Sequence, residues 1–495
     1  MRDLILFLPE IFIAITLAGV VLSEVGYHGE KVRLITMTSL IGLAGAFLQT
    51  LVNYQNGPTR FLGDVLVIDG YSLFFKLFFI VLAVLAILTS SFSKEIRKDQ
   101  RAEFCALILG STLAMFLISA AADLLLAFLA LQFLNLMSYF LSAQSKNNML
   151  STEASFKHLA FGVFSGTLLL YGVALLFAGT HSLNIYEMHK AVLAGAIPQS
   201  TSLVVFILMF LALGFQIGAF PMHLWVADVL EGSPTPASAF LSVGTRAAGF
   251  SILVRFLMVV FAQPALSPGL WEPLGGIDWP HIVALLSGLT MFTGALMAFR
   301  QKAAKRMVAW LVVAQTGCLL QGVLVLDEVG ISALLFNLVV DLFALTGVFY
   351  MLSFLIDIVK SDQLEKLQGM LAKAVPECIC LVMFLACLVG IPPFPGFIGK
   401  FILIGVAIRH DWYFLAALSI FSTAVSILAV GRLTYALMNG FKLSTESATP
   451  ASEVAVSVLG HRALLAGLIV PMFLITIFAD WVLYWGGQSI QFILW

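Results

Sequence analysis

Gly390-Ile391-Pro392-Pro393-Phe394-Pro395-Gly396 sits in the middle of an apolar stretch that runs from residue 375 to residue 409. A helix needs about 20 apolar residues to cross a bilayer, so the stretch is too long for one regular crossing. A proline inside a helix removes a backbone hydrogen bond and clashes with the preceding turn. The stretch therefore reads as a helix broken at its centre. Such a break is tolerated at membrane depth only where protein covers the freed backbone or water reaches it. Lys400, just past the break, would then meet freed carbonyls and water able to solvate its ammonium.

Working outward, the chain has 495 residues, 61% of them hydrophobic and 11% charged, with a mean hydropathy of +1.03. Soluble domains run near 25% charged, which excludes a cytosolic globular protein. Apolar runs predict fourteen spans near 4–23, 33–52, 70–92, 103–120, 122–143, 156–178, 201–220, 236–262, 281–299, 304–325, 329–356, 375–409, 411–438 and 461–487. The seventh ends at Pro221 after Gly214 and Gly218 and carries the same interruption signal as the twelfth. Two broken helices five spans apart predict a repeat, and five crossings is odd, so the second unit would be inverted. The fold class is thus all-α: a polytopic membrane protein with broken helices 7 and 12. Its parts would be 1–100 (helices 1–3), 101–262 (helices 4–8), 263–440 (helices 9–13, inverted) and 441–495 (connector and helix 14). The polar connector near 439–460 is the longest loop, which leaves no room for a soluble domain.

A net charge of −1, from 26 basic and 27 acidic residues, removes the electrostatic case for nucleic-acid binding. Cys105, Cys318, Cys378, Cys380 and Cys387 lie in apolar runs without CxxC or metal spacing. Met1 to Leu22 lacks a small-residue cleavage site and reads as a span rather than a signal peptide. Alternate loops divide the basic residues sixteen to four, the larger set including Lys94, Arg97, Lys98, Lys302, Lys305 and Arg306. The positive-inside rule then places both termini away from the cytoplasm.

An ionisable group at the bilayer centre costs about 3 kcal/mol on insertion scales, so each one needs a reason. Lys157 opens helix 6, where a snorkelling lysine and a functional one fit equally well. Arg246 lies half-way along helix 8; it keeps its proton and so can organise a carboxylate but relays protons poorly. Asp341 lies mid-way along helix 11, either as a proton-exchanging carboxyl or as a neutral one bonded to a neighbouring helix. His223 follows the helix 7 break and could gate or relay, although packed histidines are commoner. Asp123 and Glu103 read as boundary or capping residues. Glu10, early in helix 1, carries little transport signal. Gln132, Gln216 and Gln315 could line a hydrated path or join helices, but they cannot hold a proton.

Asp69-Gly-Tyr-Ser-Leu-Phe-Phe-Lys76, Glu153–Lys157, Phe220-Pro-Met-His-Leu-Trp225, Asp228-Val-Leu-Glu-Gly-Ser-Pro-Thr-Pro236, Lys305-Arg-Met-Val-Ala309 and Gly390 through Phe401 resemble the antiporter-like membrane subunits of complex I. The subunit N type is nearest, and cation/proton antiporter subunits are more distant relatives. The resemblance covers about two-thirds of the chain. It implies a proton-translocating, non-redox subunit of an NADH:quinone oxidoreductase in a bacterial plasma membrane. No cofactor is implied in this chain: flavin, iron–sulfur clusters and quinone would sit in partners, among them subunits of the K, M, J, L, A and H types. The implied proton path includes Lys157 and Lys400 at the family's lysine positions, with Arg246 where a lysine is usual.

Three protonatable stations of the family are amides here, besides the arginine at position 246. Gln132 replaces a glutamate, Gln216 a lysine and Gln315 a histidine, while Asp341 appears where the family is uncharged. An amide cannot replace a protonatable station. Either water held by the amides bridges Lys157, Asp341 and Lys400 in a rewired path, or this copy no longer pumps and serves as a structural spacer in the membrane arm. A subunit of a multi-subunit cation/proton antiporter, a membrane hydrogenase module and a non-pumping scaffold are the competing assignments.

Overall fold

The computed structural model describes residues 2–26, 31–145, 148–274, 276–439 and 458–490. The expected polar connector lies outside the described residues except at its ends. Four helices open the chain: α1 (Arg2–Leu6), α2 (Leu8–Gly26), α3 (Lys31–Asn53) and α4 (Gly70–Phe92). The first expected span is divided at Phe7, since Pro9 has no N–H to continue the ladder. A small hairpin, β1 (Thr59–Phe61) and β2 (Leu66–Ile68), precedes α4. Asp69 then caps α4 in a reciprocal capping box with Ser72.

Two groups of helices follow, and they run in the same order apart from one short surface helix of the first, which has no counterpart in the second. The first comprises α5 (Arg101–Ala120), α6 (Leu124–Ser142), α7 (Met149–Thr180), the short surface helix α8 (Ile185–Leu193), α9 (Gln199–Ile217), α10 (Leu224–Gly232) and α11 (Thr235–Val260). After a second hairpin, β3 (Ala262–Pro264) and β4 (Trp271–Pro273), come α12 (Trp279–Arg300), α13 (Ala304–Leu324), α14 (Glu328–Val359), α15 (Val375–Val389), α16 (Pro395–Arg409) and α17 (Tyr413–Met438). Helices α7 and α14 both have 32 residues, and α11 and α17 both have 26. Both groups carry one interrupted helix, α9/α10 and α15/α16. Each break begins at a glycine in the left-handed region, Gly218 at φ 72° and Gly390 at φ 87°, where a side chain would be strained.

Twelve helices among the described residues are long and apolar enough to cross a membrane. The α15/α16 pair and α2, with 19 residues, bring the crossings to the fourteen expected. The last expected span is two helices, α18 (Val458–Ile477) and α19 (Ala479–Ile490), joined at Phe478 without a proline or glycine to mark the joint. Helices α11 and α13 are buried along their whole apolar length and form the centre of the molecule. Small residues allow close contact there: a Cβ on Gly294 would fall 2.4 Å from the backbone nitrogen of Ala314, so α12 and α13 meet almost backbone to backbone.

Candidate functional site

At the second break, the last carbonyls of α15 lose their helical partners because Gly390 turns the chain away. Lys400, one and a half turns into α16, folds back across the gap and donates from Nζ to the Val389 carbonyl at 2.8 Å. The negative end of the α15 dipole also favours a cation there. The lysine stem runs so close to the turn that a Cβ on Gly390 would lie 2.9 Å from Lys400 Cδ. A small cavity adjoins the lysine, walled in part by Gln315, Cys318, Val389, Ser422 and Ser426.

At the centre of the molecule Arg246 of α11 meets Asp341 of α14. Arg246 Nη2 donates to Asp341 Oδ2 at 2.8 Å, and the two side chains are only 2% and 1% exposed. The pairing accounts for both residues: a buried guanidinium needs a counter-charge, and a buried carboxylate needs donors. Arg246 Nε and Nη1 and Asp341 Oδ1 have no hydrogen-bond partner among the described residues. These polar atoms suit bridging water. Asp341 is thus neither isolated nor bonded only to a neutral neighbour.

The first break is handled differently. Its freed carbonyls accept neutral donors: Trp225 Nε1 donates to Phe215 O and Thr316 Oγ1 to Ile217 O, each at 3.0 Å. Gln216 sits beside this turn and lines a second cavity with Ser242, Thr245 and Arg246. Of the two cavities, the one at the first break is lined by Arg246 and the one at the second break by Lys400 and Gln315. His223 is buried in the turn before α10, its ring packed against Phe220 and Trp310.

Residues 121–426 match the family model described as NADH:quinone oxidoreductase/Mrp antiporter, TM. The chain belongs to this family. It is 31% identical over 426 residues to NADH-quinone oxidoreductase subunit N of Chlorobium chlorochromatii (strain CaD3), covering 85% of this chain and 82% of the relative. Subunit N of Anaeromyxobacter sp. (strain Fw109-5) is 28% identical over 510 residues, covering 99% and 97%. A chain in the structure of respiratory complex I from Thermus thermophilus with bound aureothin superposes with a TM-score of 0.76 at 25% identity, covering 96% and 98%.

In this member of the NADH:quinone oxidoreductase/Mrp antiporter family, the candidate residues divide into two places. Arg246, Asp341, Gln216, Gln315 and Lys400 share the interior described above. Lys157 does not join them. It is 38% exposed, lies 2.8 Å from Glu153 Oε1 and donates to Asp228 Oδ2 at 2.7 Å. Arg306 of α13 reaches the same Asp228 at 2.7 Å and Glu231 at 2.6 Å, so α7, α10 and α13 are tied by one ionic ladder at the basic end of the bundle. Gln132 of α6 packs against Gly166 of α7, where a Cβ would meet its amide nitrogen at 2.5 Å.

Two buried ion pairs escaped the sequence reading. Glu10 and Lys76 approach to 2.6 Å with essentially no exposure, and Arg255 makes a forked contact with Asp69 at 2.8 and 3.0 Å. Each of these charges is visible as an ionisable residue in or beside an apolar run. Matching a base in one span with an acid in another is the signal that would have found them.

Proposed function

We propose that this chain is the membrane-arm subunit N of a complex I-type NADH:quinone oxidoreductase, where it translocates protons while partner subunits pass electrons from NADH to quinone. The observation that carries the reading is Lys400: a buried amine at a broken helix, donating to the Val389 carbonyl, in a chain of this family. A lysine so placed can hold a proton on the Val389 carbonyl and release it when the charge balance at Arg246–Asp341 changes. The path is rewired relative to the family pattern. Gln132 and Gln216 remove the stations near the first break, and Asp341 supplies a carboxylate beside Gln315 in the second unit.

Further features complete the reading. Residues 101–262 and 263–440 are the two five-span units, the second inverted, with 1–100 and 441–495 flanking them. The lysine- and arginine-rich ends face the cytoplasm of a bacterium, and both termini face the opposite side of the plasma membrane. Flavin, iron–sulfur clusters and quinone belong to other subunits of the complex, and membrane-arm neighbours of the K, M, J, L, A and H types surround this chain. Affinity purification from native membranes tests the assignment. Co-purification with NADH-oxidising activity is expected, and none from the chain alone. Recovery in a complex that exchanges sodium for protons without oxidising NADH would replace it with an antiporter role.

A further inference from the structure

Thr316 of α13 has no exposure, and its hydroxyl faces two acceptors. Oγ1 lies 3.0 Å from the Ile217 carbonyl at the end of α9 and 3.1 Å from the Val312 carbonyl of its own helix. A hydroxyl carries one proton, so a full bond to either carbonyl is made at the expense of the other. Bonding back to Val312 is the ordinary habit of a threonine in a helix. The bond to Ile217 instead crosses from the second unit to the first. Ile217 has need of it, because the residue four places on, its helical donor, is Pro221, which has no N–H. Ile217 and Val312 both wall the first cavity, which Arg246 also lines.

The same helix walls the other cavity. Leu311, Gln315 and Cys318 line the space beside Lys400, so Gln315 and Thr316, adjacent in sequence, serve one break each. Toward the basic end, Lys305 is 6% exposed and donates from Nζ to the Ser233 carbonyl at 2.6 Å, where α10 ends. Arg306 beside it holds Asp228 and Glu231 of α10. Helix α13 therefore grips the interrupted α9/α10 at two levels, about 16 Å apart at 1.5 Å per residue. A packed helix shifts as a unit, so a displacement that begins at the second cavity carries Thr316 with it.

We propose that Thr316 is a positioning residue whose hydroxyl sets the state of the first break. Turned toward Ile217, it covers the freed carbonyl. Turned toward Val312, it leaves that carbonyl open to accept from water in the first cavity, where Arg246 Nε and Nη1 have no partner among the described residues. The O–H bond stays intact throughout; the hydroxyl only rotates. The inference rests on the proposed pumping role of Lys400, since the change of charge there is what displaces α13.

The test uses the whole complex in proteoliposomes and reads protons translocated per NADH oxidised, in samples matched for assembled complex. Thr316→Val keeps the shape and removes the hydroxyl, and a partial loss of the ratio is expected. Thr316→Ser keeps the hydroxyl and is expected to retain the wild-type ratio. If Thr316→Val fails to assemble, Thr316→Ala read against Thr316→Ser decides. A wild-type ratio in Thr316→Val beside a lowered Lys400→Met value would overturn the role of Thr316 and leave the pumping role intact. Equal losses in Thr316→Val and Thr316→Ser would overturn it too, because shape and not the hydroxyl would then matter. An unchanged ratio in Lys400→Met would overturn the pumping role and the inference with it.

Discussion

Lys400 and Gly390 depend on each other. At φ 87° the backbone of Gly390 occupies a region that a side chain enters at a cost of about 1–2 kcal/mol, and a new Cβ would also press on the lysine stem. Gly390→Ala is therefore expected to lower the thermal stability of the complex and the proton ratio together, because it displaces the amine from the Val389 carbonyl. Asp341→Asn is expected to destabilise by about 3–5 kcal/mol, the usual result of leaving one member of a buried ion pair alone. Arg246→Met with Asp341→Leu should recover that stability, since paired removal strands no charge, yet the ratio should stay low. Thermal unfolding and proton stoichiometry, measured on the same preparations, separate the two effects. Asp341, Arg246 and Lys400 all stood out in the sequence as charges in hydrocarbon. Their pairing did not, because Arg246 and Asp341 lie 95 residues apart and nothing local links them.

The two broken helices show how much an element reveals about itself. Prolines and glycines marked both interruptions, since each acts through its own backbone. Lys400 beside the second break was legible from its place just past the prolines, but what fills the first depends partly on a neighbouring helix and was not. Lys400 caps the second from its own chain segment, whereas Trp225 and Thr316 serve the first, Thr316 coming from the other repeat unit. The short helix α10 escaped because Leu224–Gly232 is only 9 residues long and fits no crossing window. The joint between α18 and α19 lacks any breaker. The neutral first break leads to a further expectation. Gln216→Lys would place a second cation in the cavity that Arg246 already lines. Destabilisation by about 3 kcal/mol is expected from that unpaired buried charge, read as a lowered unfolding temperature.

Across the whole molecule, charge is arranged by depth. An ionic ladder through Lys157, Asp228, Arg306 and Glu231 ties the basic end of the bundle, and the forked Asp69–Arg255 contact joins the start of α4 to the far part of α11. In the interior, Arg246 pairs with Asp341 and lines the cavity at the first break, and Lys400 walls the cavity at the second. The number of crossings and the charge bias came directly from composition along the chain, because the bilayer acts on every residue in the same way. The split of the candidate lysines between rim and interior did not, because it is set by which helices pack together. The central claim is that this chain handles protons at Lys400 although Gln132, Gln216 and Gln315, which cannot hold a proton, occupy other candidate positions. Its most direct test is the number of protons translocated per NADH oxidised by proteoliposomes carrying the wild-type complex and the Lys400→Met complex, measured side by side. A lower ratio in the variant is expected; equal ratios would contradict the claim.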